Sequence, residues 1–337
     1  MKPGKLSLEN LSHLIKKIPL QDPRVILGPS LGEDAALVDI GEQYLVVKTD
    51  PITFPTSKSG WYAVNVNAND IAVMGAKPKW FLATVLMPPS SEYPELTNLM
   101  EQIITTCRQL DITIIGGHTE ITDSVTSPVI SGTMLGEVTK GSEILSSNAE
   151  DGDTILLTKG IPIEGCSILA TEAKDELINS GLSKEEISRG IELITSPGIS
   201  VVKDAEIALS AGKITAMHDP TEGGLSSGLI ELAQSSALGM VINRSSIKEI
   251  PESKLFCQAL GLDPLGLIAS GALLACVSKA DDEHVIRALT KANIPAFKIG
   301  KMTNQHKEVK MIENGQLVDF PRFETDELAR FLSTVKK

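Results

Sequence analysis

The stretch VNVNAND, residues 64–70, carries asparagine at every second position and then an aspartate, inside the otherwise apolar segment WYAVNVNANDIAVMGAKP. Burying an amide or a carboxylate costs free energy unless a partner satisfies it, and the cost is highest for an unpaired ion. These side chains therefore either face a bound ligand or form a hydrogen-bonded network within the core. The residues alone leave both interpretations open.

Four further stretches share one predicted design, in which an apolar strand runs into a turn that carries glycine and a carboxylate. They are GPSLGEDAALV (28–38), VVKTDPI (46–52), TIIGGHTEI (113–121) and AMHDPTEGGL (216–225). Glycine lets backbone N–H groups approach an anion closely, and carboxylate oxygens suit Mg²⁺, which bridges to substrate phosphates. With Asp70, the candidate metal-facing acids are Asp34, Asp50, Glu120, Asp219 and Glu222. Taken singly, each of these acids is more typical of a cap or an Asx turn, and only their recurrence favours a metal site.

A cluster of such acids would need cations. Two carboxylates about 4 Å apart repel by about 4 kcal/mol at an effective dielectric near 20, and a bound metal would remove that penalty. The sequence contains neither GxxxxGK[ST] nor GxGxxG, so a nucleotide site must be built differently from the common phosphate loops. His118 and His218 stand in two of the predicted turns and could move protons, with ordinary hydrogen bonding as the alternative.

Composition excludes several classes of function. A net charge of −12 argues against binding to a nucleic-acid backbone, which relies on clustered Lys and Arg. No run of 18 apolar residues predicts a membrane helix, and the start MKPGKLSLENLSHL does not resemble a signal peptide. The 4 cysteines form no CxxC pair and are expected to be core or partly exposed thiols. We therefore expect a cytoplasmic protein with no nucleic-acid or membrane partner.

Strands and helices intermix along the whole chain, which predicts an α/β (α+β) fold without internal repeats. Residues 64–69 alternate as in a strand, but asparagine is depleted in strands and the run ends in Gly75 with Pro78 beyond, so we predict a helix. A length of 337 residues suits about two domains. The polar link NAEDGD, residues 148–153, places the predicted boundary between domains 1–149 and 150–337.

Six motifs in one order resemble a known superfamily: GEDAALVD, TDP, NDIAVMGAKP, GGHTE, HDPTEGGL and DPLGLIASGALLACV. They are similar to those of PurM-like proteins, the superfamily of aminoimidazole ribonucleotide (AIR) synthetase. Within it the chain most resembles the hydrogenase maturation family HypE, with selenophosphate synthetases and thiamine-monophosphate kinases as more distant relatives. The resemblance implies a two-domain PurM-like fold, with an N-terminal sheet domain that pairs with a second subunit and a C-terminal layered α/β sandwich.

The resemblance also implies a homodimer that binds ATP and Mg²⁺ in a cleft. Asp34, Asp50 and Asp70 would hold the metal, with Glu120 or His118 as a further contact. The catalytic candidates are His118, His218 and Asp219. The cofactor-binding candidates are Gly32, Asn69, Gly116, Gly117, Gly223, Gly224 and Lys5, with an ordinary solvated lysine as the alternative for Lys5.

One departure from HypE bears on function. The HypE family ends in a Cys-bearing tail whose thiol carries the carboxamide that is dehydrated, whereas this chain ends ELARFLSTVKK and its last cysteine is Cys276. The resemblance therefore implies an ATP-dependent enzyme that activates a carbonyl, amide or phosphate oxygen of another small substrate through a phosphorylated intermediate. Two alternatives stay open: a nucleotide-binding maturation factor that acts through a protein partner, and a thiamine-monophosphate kinase-like enzyme.

Overall fold

Two β-sheets organise this computed structural model, which describes residues 6, 8–53 and 57–335. Each sheet belongs to its own unit. The six-stranded unit consists of Pro19–Pro29 and Asp34–Glu143, and the seven-stranded unit of Met1–Ile18, Ser30–Glu33 and Ile144–Lys337. The mixed α/β fold class is confirmed, and the predicted boundary between residues 149 and 150 stays a prediction.

The six-stranded unit has the strand order β1-β2-β3-β6-β4-β5, in which β4 and β5 are parallel and the other pairs antiparallel. Helices α2 and α3 pack against each other, and α2 lies on β3, β6 and β4. In chain order the elements are β1 Val25–Leu27, β2 Ala36–Asp39, β3 Gln43–Ile52, α2 Ser59–Val73, β4 Lys77–Met87, α3 Tyr93–Gln109, β5 Thr113–Ile121 and β6 Val129–Thr139.

Helix α2 contains the stretch VNVNAND, so the predicted helix is confirmed. It packs closely on β6, whose alternate residues from Ile130 to Val138 are buried. A Cβ atom on Gly132 would lie 2.6 Å from Nδ2 of Asn67, and one on Gly136 would lie 2.3 Å from Cγ2 of Ile71. The two glycines of β6 therefore leave the space that the helix fills.

The seven-stranded unit has the strand order β13-β12-β9-β11-β7-β10-β8, in which only the β9–β12 pair is parallel. Its strands are β7 Thr154–Thr158, β8 Ile214–His218, β9 Gly239–Asn243, β10 Leu274–Val277, β11 Ala296–Thr303, β12 Val309–Glu313 and β13 Gln316–Asp319. Its helices are α1 Leu8–Ile15, α4 Ile163–Glu172, α5 Lys174–Asn179, α6 Lys184–Glu192, α7 Val202–Ala211, α8 Gly224–Ser236, α9 Pro251–Leu260, α10 Asp282–Lys291 and α11 Glu327–Val335.

The core of this unit forms where the apolar face of α8 meets the sheet. Leu225, Leu229 and Leu232 of α8 pack with Ile155 and Leu157 of β7 in one buried cluster. Burying such side chains contributes about 2 kcal/mol each. Among the described residues no helix is both long and apolar enough to cross a membrane.

Candidate active site

Lys48 joins three of the predicted acids in the six-stranded unit. Its Nζ lies 3.1 Å from Oδ2 of Asp70 and 3.5 Å from Oδ2 of Asp50, and Asp34 adds a further attraction. Burial alone would lower the pKa of Lys48, but the carboxylates of Asp70, Asp50 and Asp34 outweigh it and hold the pKa above its usual value. The cluster therefore combines one firmly protonated ammonium with three acidic groups.

Strand β3 and helix α2 bring this cluster together. Lys48 and Asp50 are two residues apart on β3, so their side chains leave the same face of the strand. That face is the one covered by α2, since Lys48 and Asp50 lie opposite Met134 and Gly132 on the buried side of β6. Asp70 approaches from α2 itself, and its side chain is only 5% exposed.

Asn67 fixes the backbone of Asp50. The Asn67 side chain accepts a hydrogen bond of 2.9 Å from the Asp50 N–H and donates to the carbonyls of Asp50 at 3.2 Å and Ala63 at 2.8 Å. Asn65 donates to the carbonyl of Trp61 at 2.9 Å. Two of the three asparagines thus form the core network that the sequence left open, and Asn69 is fully buried and also engaged.

Strand β5 carries four predicted site residues, and here the predicted turn is wrong. Gly116, Gly117, His118 and Glu120 lie inside β5, in parallel register with β4. A Cβ atom on Gly117 would lie 2.3 Å from the Ala83 carbonyl oxygen, and its φ is +152°, so glycine serves the strand pairing here.

His118 and Glu120 do not join the Lys48 cluster within this chain. Their Nε2 and Oε2 atoms lie 3.5 Å apart, with the two side chains 64% and 53% exposed. Three strand spacings, or roughly 14 Å, separate β5 from β3. Their roles in metal binding and catalysis stay predictions.

The predicted turn at Asp50 is also wrong, because this residue lies within strand β3. The antiparallel pairing of β3 with β6 continues past it to Ile52. The side chain is therefore held by a continuous sheet and by Asn67.

In the seven-stranded unit, His218 and Asp219 stand at the end of β8 and are both buried. Nε2 of His218 lies 3.1 Å from Oε2 of Glu231, a partner on α8 that the sequence analysis did not identify. Asp219 is 1% exposed and is also engaged by neighbouring groups. The histidine is thus oriented by a carboxylate within the unit.

The turn that follows β8 needs glycine. Gly223 and Gly224 have φ values of +85° and +67°, a region that side chains disfavour. A Cβ atom on Gly224 would lie 2.6 Å from the Leu265 carbonyl oxygen. The N–H of Gly223 donates to Oδ2 of Asp326 at 2.6 Å, so a protein carboxylate takes the position predicted for a phosphate or substrate group.

Two buried carboxyl groups near this turn were missed by the sequence analysis. Burial raises the pKa of Glu164 to about 7, with Asp326 adding to the rise and a hydrogen bond with Ser270 opposing it. Burial likewise raises the pKa of Asp326 to about 6, against the hydrogen bond from Gly223. Oε2 of Glu164 is buried with no hydrogen-bond partner among the described residues. Both groups lie far along the sequence from the turn, so spacing could not reveal them.

Gly32 and Lys5 are the last two residues predicted to bind the cofactor. Gly32 has a φ of +73°, and a Cβ atom there would lie 2.9 Å from the Glu231 carbonyl oxygen, so this glycine permits close packing on α8. Lys5 lies outside the described residues.

All 4 cysteines of the sequence are buried, so of the two environments expected for them the structure shows the core. Burial raises the pKa of the Cys107 and Cys257 thiols to about 12 and that of the Cys276 thiol even further. Burial also raises the pKa of the Cys166 thiol. A nucleophilic thiol needs an accessible thiolate, so none of these cysteines suits the role of a covalent carrier.

The mixed sheets and the acid cluster define a two-domain α/β protein of the PurM-like type, and comparison with known families agrees. The model for the AIR synthase related protein N-terminal domain matches residues 32–138, and the model for the C-terminal domain matches residues 150–312. The chain belongs to the AIR synthase related family.

Curated relatives match over nearly the whole chain. A hydrogenase expression/formation protein of Methanocaldococcus jannaschii is 31% identical over 92% of this chain and 93% of its own. Carbamoyl dehydratase HypE of Bradyrhizobium diazoefficiens is 27% identical over 86% of this chain and 84% of its own. Selenide, water dikinase of Methanococcus maripaludis is 29% identical over 94% and 97%. These relatives include enzymes, and the hydrogenase maturation likeness is confirmed.

Solved structures share the fold. HypE in complex with ATP has a TM-score of 0.72 at 22% identity, covering 94% of this chain and 96% of its own. HypE in the HypE–HypF complex has a TM-score of 0.73 at 22% identity, covering 86% and 93%. ThiL complexed with AMPPCP and TMP has a TM-score of 0.72 at 19% identity, covering 94% and 98%. At these identities the likeness establishes the fold alone.

Proposed function

We propose that this protein is an ATP-dependent enzyme that uses Mg²⁺ to transfer a phosphoryl group to a carbonyl, amide or phosphate oxygen of a small substrate. The observation that carries the proposal is the convergence of Asp34, Asp50 and Asp70 on Lys48 in the six-stranded unit. Family membership and the ATP complex of a structural relative support it.

The donor set fits a magnesium ion. Mg²⁺ prefers oxygen ligands and is usually held by one or two carboxylates together with substrate phosphates. One ammonium cannot neutralise three carboxylates, so the cluster retains a charge that favours a divalent cation. Bound Mg²⁺ would neutralise charge that develops on the transferred phosphoryl group. Asn67 would keep Asp50 in place for this role, because it holds both backbone groups of that residue.

The proposal is tested by ADP formation. Purified protein with ATP and Mg²⁺ should release ADP when supplied with one member of a panel of amides, carbamoyl compounds and phosphomonoesters that includes thiamine phosphate. Omitting Mg²⁺ should abolish this release, because the carboxylates would then repel the triphosphate. If no metabolite on the panel stimulates ADP formation, the small-substrate proposal is overturned.

A second candidate function is that of a maturation factor that works through a protein partner. Two observations favour it: a curated relative is named for hydrogenase expression/formation, and a structural relative was solved as the HypE–HypF complex. The buried thiols of this chain argue against a covalent carrier within it. ADP formation that requires a partner protein and no free metabolite would favour this candidate.

The same assay addresses thiamine phosphate, since the thiamine-monophosphate kinase-like alternative requires that compound as phosphate acceptor. A cytoplasmic location is part of the proposal. The proposal also includes no nucleic-acid partner, which the net charge of −12 supports.

The proposed homodimer would form along strand β5. Among the described strands, β5 pairs only with β4, and every residue of β5 is exposed. Ile115 and Ile121 are 52% and 59% exposed. An exposed apolar edge strand is a typical site for association with a second chain. We therefore propose that β5 contacts β5 or its neighbours in a second copy.

Ile121→Lys is expected to raise the dissociation constant of the dimer at least tenfold, because it places a charge in an apolar contact. A tenfold change corresponds to about 1.4 kcal/mol in the free energy of association. Sedimentation velocity at several concentrations would measure this. Ile40→Lys is the matched control, since Ile40 is 50% exposed in the same unit but lies outside β5. A monomeric wild type, or an Ile121→Lys protein as dimeric as the wild type, would contradict the proposed interface.

A further inference from the structure

A cation of the protein already stands among the acids proposed to hold the metal. Nζ of Lys48 lies 3.1 Å from Oδ2 of Asp70 and 3.5 Å from Oδ2 of Asp50. Only 21% of the Lys48 side chain is exposed, so its ammonium group exchanges much of its hydration for these carboxylates. Lysine–carboxylate pairs at protein surfaces are common, but here one lysine pairs with two acids and is attracted by a third, Asp34.

The ammonium and a metal ion would compete for the same oxygens. Mg²⁺ lies about 2.0–2.1 Å from its oxygen ligands. An ion held by the carboxylates of Asp50 and Asp70 would therefore stand in the region that Nζ now approaches. Two positive charges this close repel strongly in a partly buried site. The ammonium must consequently leave when such an ion arrives.

The fold decides how far the ammonium can move. The Cα atom of Lys48 is fixed within β3, which pairs with both β2 and β6, and the side chain leaves on the face covered by α2. The four-carbon stem of lysine is flexible, and its head group is a compact point charge with three donors. A triphosphate bound at these acids would present anionic oxygens, which attract an ammonium group.

We propose that Lys48 competes with divalent metal for the Asp34, Asp50 and Asp70 carboxylates and moves to the triphosphate when metal and nucleotide bind together. This inference rests on the proposed function, because it assumes that the nucleotide site lies at these acids. Its consequence is that metal alone binds weakly, whereas metal with nucleotide binds well. Lys48 would thus couple the loading of the metal to the presence of ATP.

The test is Lys48→Met, measured by binding and not by turnover. Mn²⁺ replaces Mg²⁺ as a probe, and the free ion is counted by electron paramagnetic resonance in the absence of nucleotide. We expect Lys48→Met to bind Mn²⁺ at least tenfold more tightly than the wild type. Calorimetric titration with a non-hydrolysable ATP analogue and Mn²⁺ should show at least tenfold weaker nucleotide binding. A merely structural lysine would not move these two affinities in opposite directions.

Two variants control the result. Lys48→Arg keeps the positive charge and should retain weak Mn²⁺ binding. Lys140→Met removes a lysine of the same unit that pairs with one acid, Asp39, at 2.7 Å, and should leave both affinities unchanged. If Lys48→Met is unstable alone, Mn²⁺ should raise its thermal midpoint by more than it raises that of the wild type, because the ion would replace the lost charge.

The outcomes separate this inference from the proposed function. A wild type that binds no Mn²⁺ even with the ATP analogue overturns the proposed function, and the inference with it. The wild type could bind Mn²⁺ and the ATP analogue while Lys48→Met has the Mn²⁺ affinity of the wild type. That result overturns the inference and leaves the proposed function standing. Unchanged nucleotide affinity in Lys48→Met would overturn the transfer of the ammonium to the triphosphate.

Discussion

Asp70→Asn is expected to weaken binding of magnesium ATP roughly hundredfold, which corresponds to about 3 kcal/mol, while the protein stays folded. The substitution keeps the shape of the side chain and removes its charge. Asp70 is the acid closest to Lys48, and its side chain is 5% exposed, so water screens its charge little. Loss of that charge would remove an anionic ligand from the proposed metal site.

The expected loss is less than the full attraction between a carboxylate and a divalent cation. The amide oxygen of asparagine can still act as a ligand, and Asp34 and Asp50 remain. Removing the Asp70 charge also weakens the attraction between the acids and Lys48. The Lys48 ammonium then contacts the triphosphate more readily, which partly offsets the loss of nucleotide affinity. Isothermal titration calorimetry with a non-hydrolysable ATP analogue and Mg²⁺ would measure the change.

Asp39→Asn is the matched control for this experiment. Asp39 lies in the same unit, pairs with Lys140 and is 32% exposed, but it stands apart from the Lys48 cluster. Nucleotide affinity should not change in this control. If Asp70→Asn also binds magnesium ATP as tightly as the wild type, with urea denaturation showing both folded, then Asp70 does not belong to the site.

Helix α2 illustrates what the sequence could predict. Its polar residues alternate as in a strand, yet the asparagine content and the terminating Gly75 correctly indicated a helix. Asn65 and Asn67 each donate to the carbonyl four residues earlier, a contact that the helix itself supplies. The bond between Asn67 and Asp50 depends on tertiary packing, so the sequence could not decide which asparagine would make it.

Strand β5 shows where local reasoning failed. Two adjacent glycines usually indicate a turn, but here they continue a strand because β4 pairs with them in register. The signal was ambiguous, since glycine also marks places where another backbone comes close, as the Ala83 carbonyl does at Gly117. Only knowledge of the partner strand could separate the two interpretations.

Lys48 was missed for a different reason. A lysine in a strand is usually solvated, so its type gives little warning of a buried role. Its spacing from Asp50 does place both on one face of β3, which was a usable signal. What the spacing could not supply is the approach of Asp70 on α2, which turns a strand lysine into part of an acidic cluster.

Glu164→Gln is expected to change stability in a pH-dependent way. Burial raises the pKa of Glu164 to about 7, from an ordinary value of 4.5. Between these values the unfolded chain releases the proton while the folded protein keeps it, so the wild type loses stability as pH rises from about 4.5 to about 7. The interval is 7 − 4.5, or about 2.5 pH units, which corresponds to about 3 kcal/mol.

The glutamine side chain does not ionise in this pH range, so the variant should not show this decline in stability with rising pH. Relative to the wild type, Glu164→Gln should therefore gain about 3 kcal/mol in the free energy of unfolding on going from pH 4.5 to pH 8. The amide adds a donor where Oε2 has no partner among the described residues, which costs about 1 kcal/mol at every pH. At pH 4.5 the variant should consequently be slightly less stable than the wild type, and at pH 8 more stable.

Urea denaturation of both proteins at pH 4.5, 6 and 8 would measure this difference. The control is Glu172→Gln, at the end of the same helix α4, because it makes the same substitution at an exposed side chain. Asp326 is present in the wild type and in both variants, so the comparison removes the part of its contribution that does not depend on Glu164. A constant difference between Glu164→Gln and the wild type at all three pH values would mean that Glu164 ionises in the folded protein much as it does in the unfolded chain.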